Sequence, residues 1–288
     1  MNRRSIVLMV FILAFAMVAT AADDPFTGSW QEVSVFTMTP NESGLTFVNL
    51  LNPKPVVMSY GKDFVSDRGY AVLIGNTVRV DDYTMKTIYR QNGKLALTVI
   101  HTISPDGKHS TRAQEYANFG QKRILEDERV GSVPAGDVFV GTWKLVRPKY
   151  IRTVKVDGNN FEWSSSVEGE VTTKNTQLQA SVRFRPGAKG KLDGKEYKEF
   201  DVGGRQTTKR MRRIDNNTIE IIEKVPPLDL AEDFAANMSP NDLAKSRAGF
   251  DRKQLWQVKG GILRVTTTDQ PKDGTQTQPS VTEYERVK

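Results

Sequence analysis

The sequence predicts an all-β protein built from two tandem copies of one small antiparallel unit. An F-x-G-x-W motif at residues 26–30 is repeated at residues 139–143, and Glu-Arg-Val at residues 128–130 returns at residues 285–287. Between these ends, short runs rich in Val, Ile, Thr and Tyr alternate with Gly, Asn and Asp at about ten-residue spacing. This pattern indicates a repeated sandwich or barrel.

Two further matches lie in the middle of the repeats. Tyr-Gly-Lys-Asp-Phe at residues 60–64 resembles Asp-Gly-Lys-Glu-Tyr at residues 193–197, and residues 80–84 resemble residues 214–218. The separation between matching segments grows from one match to the next and never falls. A real duplication with insertions in the second copy has this property, whereas chance matches would be scattered.

The first 22 residues resemble a secretory signal peptide. Arg3 and Arg4 precede an apolar run at residues 6–18, and Ala-Thr-Ala at residues 19–21 forms a cleavage site. The run is shorter than the roughly 20 residues that a spanning helix needs, although an uncleaved membrane anchor is the alternative. We therefore expect an exported protein, periplasmic or extracellular, with no integral membrane segment after cleavage. The chain has no cysteine, so its cores must hold it together without disulfides.

The repeats set the expected domain boundaries. The signal peptide covers residues 1–22, the first unit residues 23–131, a linker residues 132–136 and the second unit residues 137–288. Turn and strand patterns fill both units. Each unit is long enough to bury a core of its own.

One insertion in the second unit, at about residues 226–254, departs from the strand pattern. Residues 228–236 are prone to form a helix, and Ser239-Pro240 predicts the start of a second helix that runs from Asn241 to about Ala248. The insertion is either a lid over a barrel mouth or a loop packed on the outside, since long loop insertions cost little.

Positive charge is concentrated in one segment. The net charge of the chain is +7, and Lys and Arg far outnumber Asp and Glu in residues 183–213. This basic segment could bind an anionic glycan, lipid head groups or a carboxylate ligand, or it could be an ordinary solvated strand face. Export argues against nucleic acid as a partner.

The motif at the start of each unit resembles that of the calycins, which include the lipocalins. The resemblance implies two tandem lipocalin-like antiparallel β-barrels, the second with a short helical insertion. In that family Gly-x-Trp opens the first strand, and a basic residue on the last strand packs across the Trp ring and closes the barrel base. By this resemblance Arg129 would pack on Trp30, and Arg286 on Trp143.

The sequence gives no positive support for an enzyme. It contains only His101 and His109 as histidines and no cysteine, and it has no nucleophile elbow, P-loop or zincin motif. We predict no catalytic residues, no metal site and no cofactor. Because a carboxylate pair has no fixed spacing, a glycosidase-type dyad stays open on these grounds alone.

A ligand in the second barrel would need polar groups on the barrel wall. Arg183 and Arg185 share one strand face, so a carboxylate held by either one with Trp163 along the ligand is one hypothesis; the alternative places both arginines on the basic outer face. The sequence thus predicts a binding protein for a small apolar or amphipathic, in one version anionic, molecule. The alternative is an envelope-associated structural or interaction protein that uses the basic segment to bind an anionic surface or glycan.

Overall fold

The computed structural model describes most of the chain after residue 23. The described residues are 24–49, 52–67, 72–117, 120–168, 171–173, 184–185, 187–200, 206–228, 240–274 and 277–287. The predicted signal peptide lies outside them, as do residues 229–236 of the first predicted helix. Within the described ranges, no helix combines the length and the apolarity that crossing a bilayer requires.

The described part of the first repeat contains ten strands. They are β1 Gly28–Glu32, β2 Val35–Asn41, β3 Gly44–Asn49, β4 Asn52–Ser59, β5 Asp63–Asp67, β6 Val72–Asp81, β7 Thr84–Gln91, β8 Lys94–Ile103, β9 His109–Tyr116 and β10 Gln121–Val130. Most adjacent strands are joined by short turns. Asn92 and Gly93 join β7 to β8 with φ angles of 50° and 76°, as a type I′ hairpin turn requires.

In its described residues, the second repeat contains twelve strands and one helix. They are β11 Gly141–Arg147, β12 Lys149–Asp157, β13 Asn160–Glu168, β14 Val171–Thr173, β15 Phe184–Arg185, β16 Lys189–Lys191, β17 Asp193–Phe200, β18 Gln206–Asp215, β19 Thr218–Val225, α1 Pro240–Ala248, β20 Phe250–Lys259, β21 Ile262–Pro271 and β22 Ser280–Arg286.

These strands form two nearly closed ten-stranded antiparallel barrels. Barrel 1 has the strand order β4-β3-β2-β11-β10-β9-β8-β7-β6-β5, with β14 paired to the side of β10. Barrel 2 has the order β15-β13-β12-β1-β22-β21-β20-β19-β18-β17, with β16 paired to β13. The prediction of an all-β chain with two antiparallel barrels and a short helix is confirmed.

The two repeats exchange their opening strands. β1 comes from the first repeat but pairs with β12 and β22 in barrel 2, while β11 comes from the second repeat and pairs with β2 and β10 in barrel 1. The barrels therefore differ from the predicted ranges 23–131 and 137–288, because each range supplies the first strand of the other barrel. The repeat predicts where a strand begins but not which sheet it joins.

The crossing points of the exchanged strands are hydrogen-bonded. The chain passes from β1 to β2 through Val33 and Ser34. The Val33 N–H donates to the carbonyl of Glu283 at 2.8 Å, and the Leu145 N–H donates to the carbonyl of Ser34 at 2.8 Å. The exchange is thus tied into the backbone ladders on both sides.

Each barrel has its own apolar core, and the cores follow the exchange. Phe26 and Trp30 pack in the core of barrel 2 with Trp256, whereas Phe139 and Trp143 pack in the core of barrel 1. Trp30, Trp143 and Trp256 are all fully buried.

The predicted helix in the insertion forms, with α1 covering Pro240–Ala248. The predicted insertion extends too far, because strand β20 already begins at Phe250. Lys245 on α1 donates to Asp269 on β21 at 3.1 Å, and the Leu228 N–H donates to the carbonyl of Ser246 at 2.9 Å. The helix is therefore fixed to the end of barrel 2 that lies away from Trp30.

Candidate ligand site and barrel closure

In barrel 1, a buried tryptophan lies beneath an arginine at one end. Trp143 is fully buried, and its Nε1–H donates to the carbonyl of Phe139 at 3.2 Å. The guanidinium carbon of Arg129 lies 4.1 Å from the centroid of the Trp143 ring. The Arg129 amino groups also donate to the carbonyls of Val138 and Val140. One cation thus covers the indole and binds the turn that leads into β11.

Barrel 2 repeats this arrangement. The Nε1–H of Trp30 donates to the carbonyl of Phe26 at 2.9 Å, and the Arg286 guanidinium carbon lies 4.3 Å from the Trp30 ring centroid. Arg286 also donates to the carbonyls of Pro25 and Thr27. The same contacts therefore close both barrels.

The predicted partners in these two closures are wrong. We expected Arg129 to pack on Trp30 and Arg286 on Trp143, but the structure pairs Arg129 with Trp143 and Arg286 with Trp30. The physical reason is the exchange of β1 and β11. Each tryptophan is carried into the other barrel and meets the arginine of that barrel's last strand.

The glycine of each motif is required by backbone angle and by space. Gly28 and Gly141 have φ angles of 140° and 134°, which side chains rarely adopt. A Cβ atom at Gly28 would lie 2.9 Å from an amino group of Arg286, and one at Gly141 would overlap the Arg129 guanidinium. Glycine therefore allows the arginine to approach the strand.

Four further residues complete the closures, and the sequence reading missed them. Asp137 and Asp24 accept the backbone N–H two residues ahead, at 2.9 and 3.0 Å, and pair with Arg79 and Arg213 respectively. The signal was present, because each aspartate stands two residues before the phenylalanine of its motif. Each arginine directly precedes one of the matched middle segments.

Barrel 1 contains a cavity of about 160 Å³. Its apolar wall includes three thioethers, and its polar wall is formed by residues of β3, β4, β5, β7, β8 and β9. The lining residues are Met38, Phe47, Asn49, Lys54, Val56, Met58, Ser66, Met85, Thr87, Tyr89, Val99, His101, Arg112 and Gln114. No described residue of α1 lines it. The sequence reading placed the ligand in barrel 2 and missed this cavity.

A buried ion pair supports the polar wall. Arg112 and His101 are opposite each other on neighbouring strands. The Arg112 Nε–H and Nη2–H donate to the two oxygens of Asp127 at 2.8 and 2.7 Å, and the Ser110 hydroxyl donates to Asp127 at 3.0 Å. Asp127 is only 1 % exposed, so this bidentate pair holds the guanidinium in place and cancels its charge.

His101 is uncharged in the folded protein. Burial lowers the pKa of its imidazole well below the ordinary value, and the positive charge of Arg112 lowers it further. The ring lies edge-on to Phe139 at 5.2 Å between centroids. Its Nε2 is buried and has no hydrogen-bond partner among the described residues. A buried polar atom without a partner in the wall of a cavity is a place where a ligand can bind.

The structure describes the side chain of only one of the three residues predicted to bind a ligand in barrel 2. Trp163 packs at the core of barrel 2, with the Arg152 guanidinium 4.4 Å from its ring centroid and the Trp256 ring at 5.7 Å. Arg183 lies outside the described residues. Arg185 belongs to β15, opposite Ser165 in the ladder, and its side chain also falls outside the description.

A half-buried acidic side chain lies near the crossing of the exchanged strands. Burial raises the pKa of the Glu32 carboxyl, and the charges of Arg152 and Arg123 oppose this shift in part. Arg123 belongs to barrel 1 and stacks over Tyr150, 5.2 Å from the ring centroid. The charges of both barrels are therefore coupled at this junction.

The basic segment is partly neutralised. Lys209 pairs with Glu199 and Glu223, Arg212 pairs with Glu220, and Arg213 pairs with the Asp24 carboxylate. Several of its positive charges thus take part in ion pairs within barrel 2. The net positive charge available to an anionic surface is smaller than the sequence count suggests.

Comparison with known proteins adds no family. No protein-family model matches the chain, and no curated protein gives a significant match. The site must therefore be interpreted from its own geometry.

Proposed function

We propose that the protein is an exported, non-catalytic binding protein that holds one small amphipathic molecule in barrel 1. The observation that carries this proposal is the cavity of about 160 Å³, with thioethers on one wall and the supported polar group His101 and Arg112 on the other. Such concave sites with few, fixed polar groups are typical of ligand pockets. The lipocalin-like resemblance of the F-x-G-x-W motif is consistent with it.

The second barrel provides an internal comparison. Counting from the closing tryptophans along the ladders, Ser110, Arg112 and Asp127 of barrel 1 correspond to Leu263, Val265 and Tyr284 of barrel 2. At these three positions barrel 1 therefore carries polar residues where barrel 2 carries Leu, Val and Tyr. Because the fold does not need these polar residues, a role in binding explains them better than a role in stability.

The competing function is attachment to an anionic surface or glycan through the basic segment 183–213. The ion pairs of Lys209, Arg212 and Arg213 with acidic groups count against it. The cavity in barrel 1 also has no place in that function. We therefore rank it second.

Native mass spectrometry of the protein purified from its own host tests the proposal. We expect an adduct at one per chain, and extraction with mass analysis would give its chemical class. A bare mass, with no uptake from a mixture of metabolites and lipids, would contradict the proposal and favour attachment through the basic segment.

A matched pair of variants locates the adduct. Val99→Phe fills the cavity from its wall, while Ile100→Phe changes the next residue on the outer face of the same strand, where Ile100 is 41 % exposed. We expect the adduct to be lost in the first variant and kept in the second. An adduct retained equally by both would place the ligand outside barrel 1.

A further inference from the structure

We propose that the cavity of barrel 1 recognises a neutral single-ring molecule bearing one hydroxyl group, with the ring among the methionines and the hydroxyl between His101 and Arg112. This inference rests on the proposed binding function and specifies its ligand class. Three observations support it, namely the size of the cavity, the chemistry of its apolar and polar walls and the balance of charge around His101 and Arg112.

The size of the cavity limits the ligand to about one ring. Its volume is about 160 Å³. A cavity of roughly 150 Å³ in another protein accepts benzene, so the space here suits a molecule of six to eight heavy atoms. A long acyl chain or a fused ring system exceeds this volume.

The apolar wall suits an aromatic ring. Met38, Met58 and Met85 line it together with Phe47 and Val99. Thioether sulfurs make favourable contacts with aromatic edges, and flexible methionine side chains adapt to a flat ring. The ring thus displaces water from an apolar surface, which is favourable.

Two members of the polar wall, Arg112 and His101, offer one group that donates and one that can accept. His101 Nε2 is buried with no partner among the described residues. The bidentate bond to Asp127 uses Nε and Nη2 of Arg112, which leaves Nη1 outside that pair. A hydroxyl can donate to an imidazole nitrogen and accept from a guanidinium at the same time. The single hydroxyl oxygen of the ligand can therefore form hydrogen bonds with both His101 and Arg112.

The charge balance favours a neutral ligand over a carboxylate. Asp127 cancels the charge of Arg112, and burial keeps His101 uncharged. Lys54 also lines the cavity, but it is exposed and lies on β4, which pairs with β3 rather than with β8 or β9. A carboxylate at the closed end would face a neutral ion pair and would not recover its cost of desolvation.

Calorimetric titration of the purified full chain with phenol, benzene and benzoate tests the ligand class. We expect phenol to bind about five- to tenfold more tightly than benzene, since one added hydrogen bond contributes roughly 1 kcal/mol. We expect benzoate to bind more weakly than either. Benzoate binding as tight as phenol would overturn the proposal.

His101→Phe isolates the polar contact, with His109→Phe as its control on an exposed histidine. The first variant should reduce phenol binding to the level of benzene and leave benzene binding unchanged, and the second should change neither. An equal loss of benzene and phenol in His101→Phe would refute a specific hydroxyl contact. Should that variant not fold, the ¹⁵N shift of His101 Nε2 in the wild type decides, because phenol should move it and benzene should not.

The outcomes separate this inference from the proposed function. A retained native adduct that is charged or larger than one ring, with no phenol binding, would overturn the ligand class and leave the binding function standing. No adduct and no binding of any single-ring probe would overturn both.

Discussion

A double-mutant cycle on Arg129 tests the exchange of the opening strands. Arg129 lies 4.1 Å over Trp143 and binds the carbonyls of Val138 and Val140. A cation over an indole contributes about 0.5–2 kcal/mol, and each charge-assisted hydrogen bond up to about 1.5–3 kcal/mol. Because Arg129 is only partly buried, we expect Arg129→Ala to lower the free energy of unfolding by about 2–4 kcal/mol.

The coupling energy distinguishes the exchanged arrangement from its alternative. Arg129→Ala combined with Trp143→Phe should show a coupling of about 0.5–2 kcal/mol, measured by urea unfolding. Arg129→Ala combined with Trp30→Phe should be additive within roughly 0.5 kcal/mol, since Trp30 lies in the other barrel. Arg129→Lys keeps the positive charge but loses the planar guanidinium with its several donors. Its free energy of unfolding should therefore lie between those of the wild type and Arg129→Ala.

The reverse pattern would refute the exchange. If Arg129 coupled to Trp30 and not to Trp143, each repeat would close its own barrel, as the sequence alone suggested. The same cycle on Arg286, with Trp30 as the coupled partner, provides an independent check in barrel 2.

Three other predictions concern single residues. Gly141→Ala should destabilise the protein by about 1–3 kcal/mol because of its φ of 134° and its contact with arginine, while Gly136→Ala, which meets open space, should have little effect in thermal melts. Because the pKa of His101 is lowered in the folded protein, its contribution to the free energy of unfolding is complete above pH 6.5, the pKa in the unfolded chain, and decreases as the pH falls below 6.5. His101→Phe should therefore flatten the pH dependence of the free energy of unfolding below pH 6.5. The raised pKa of Glu32 has the opposite effect, because the free energy of unfolding falls as the pH rises above 4.5. Glu32→Gln should therefore stabilise the protein at pH 7, and equal free energies of unfolding for the variant and the wild type at that pH would contradict the raised pKa.

The repeat and the strand patterns were enough to predict a duplicated antiparallel β unit, and the resemblance to the calycins supplied the barrels. The duplication rests on local chemistry that the sequence displays directly, such as the spacing of the two F-x-G-x-W motifs. The repeat and the strand patterns could not predict the exchange of the opening strands, because the same arginine–tryptophan contact forms whichever repeat supplies the tryptophan. Only the ladder of β1 with β22 decides between the two arrangements.

The cavity was missed for a different reason. In β9 both faces are polar, with His109, Thr111 and Glu115 outside and Arg112 and Gln114 inside. Period-two alternation of apolar and polar residues therefore gives no signal there. Asp127 on β10 pairs with the inward-pointing Arg112, and its position opposite β9 is set by strand register and not by any short sequence motif.

The position of the cavity follows from side-chain volume at equivalent places. Along the ladders, Phe47 and His101 of barrel 1 correspond to Trp163 and Trp256 of barrel 2. Two indoles thus fill in barrel 2 the region where smaller rings leave about 160 Å³ in barrel 1. At the roughly 24 cal/mol per Å³ found for apolar cavities, this volume sets an upper bound of about 4 kcal/mol on the cost of the cavity, since one of its walls is polar. The exchanged strand β11 ties barrel 1 to the filled barrel, and a bound ligand would offset part of this cost by stabilising the folded state.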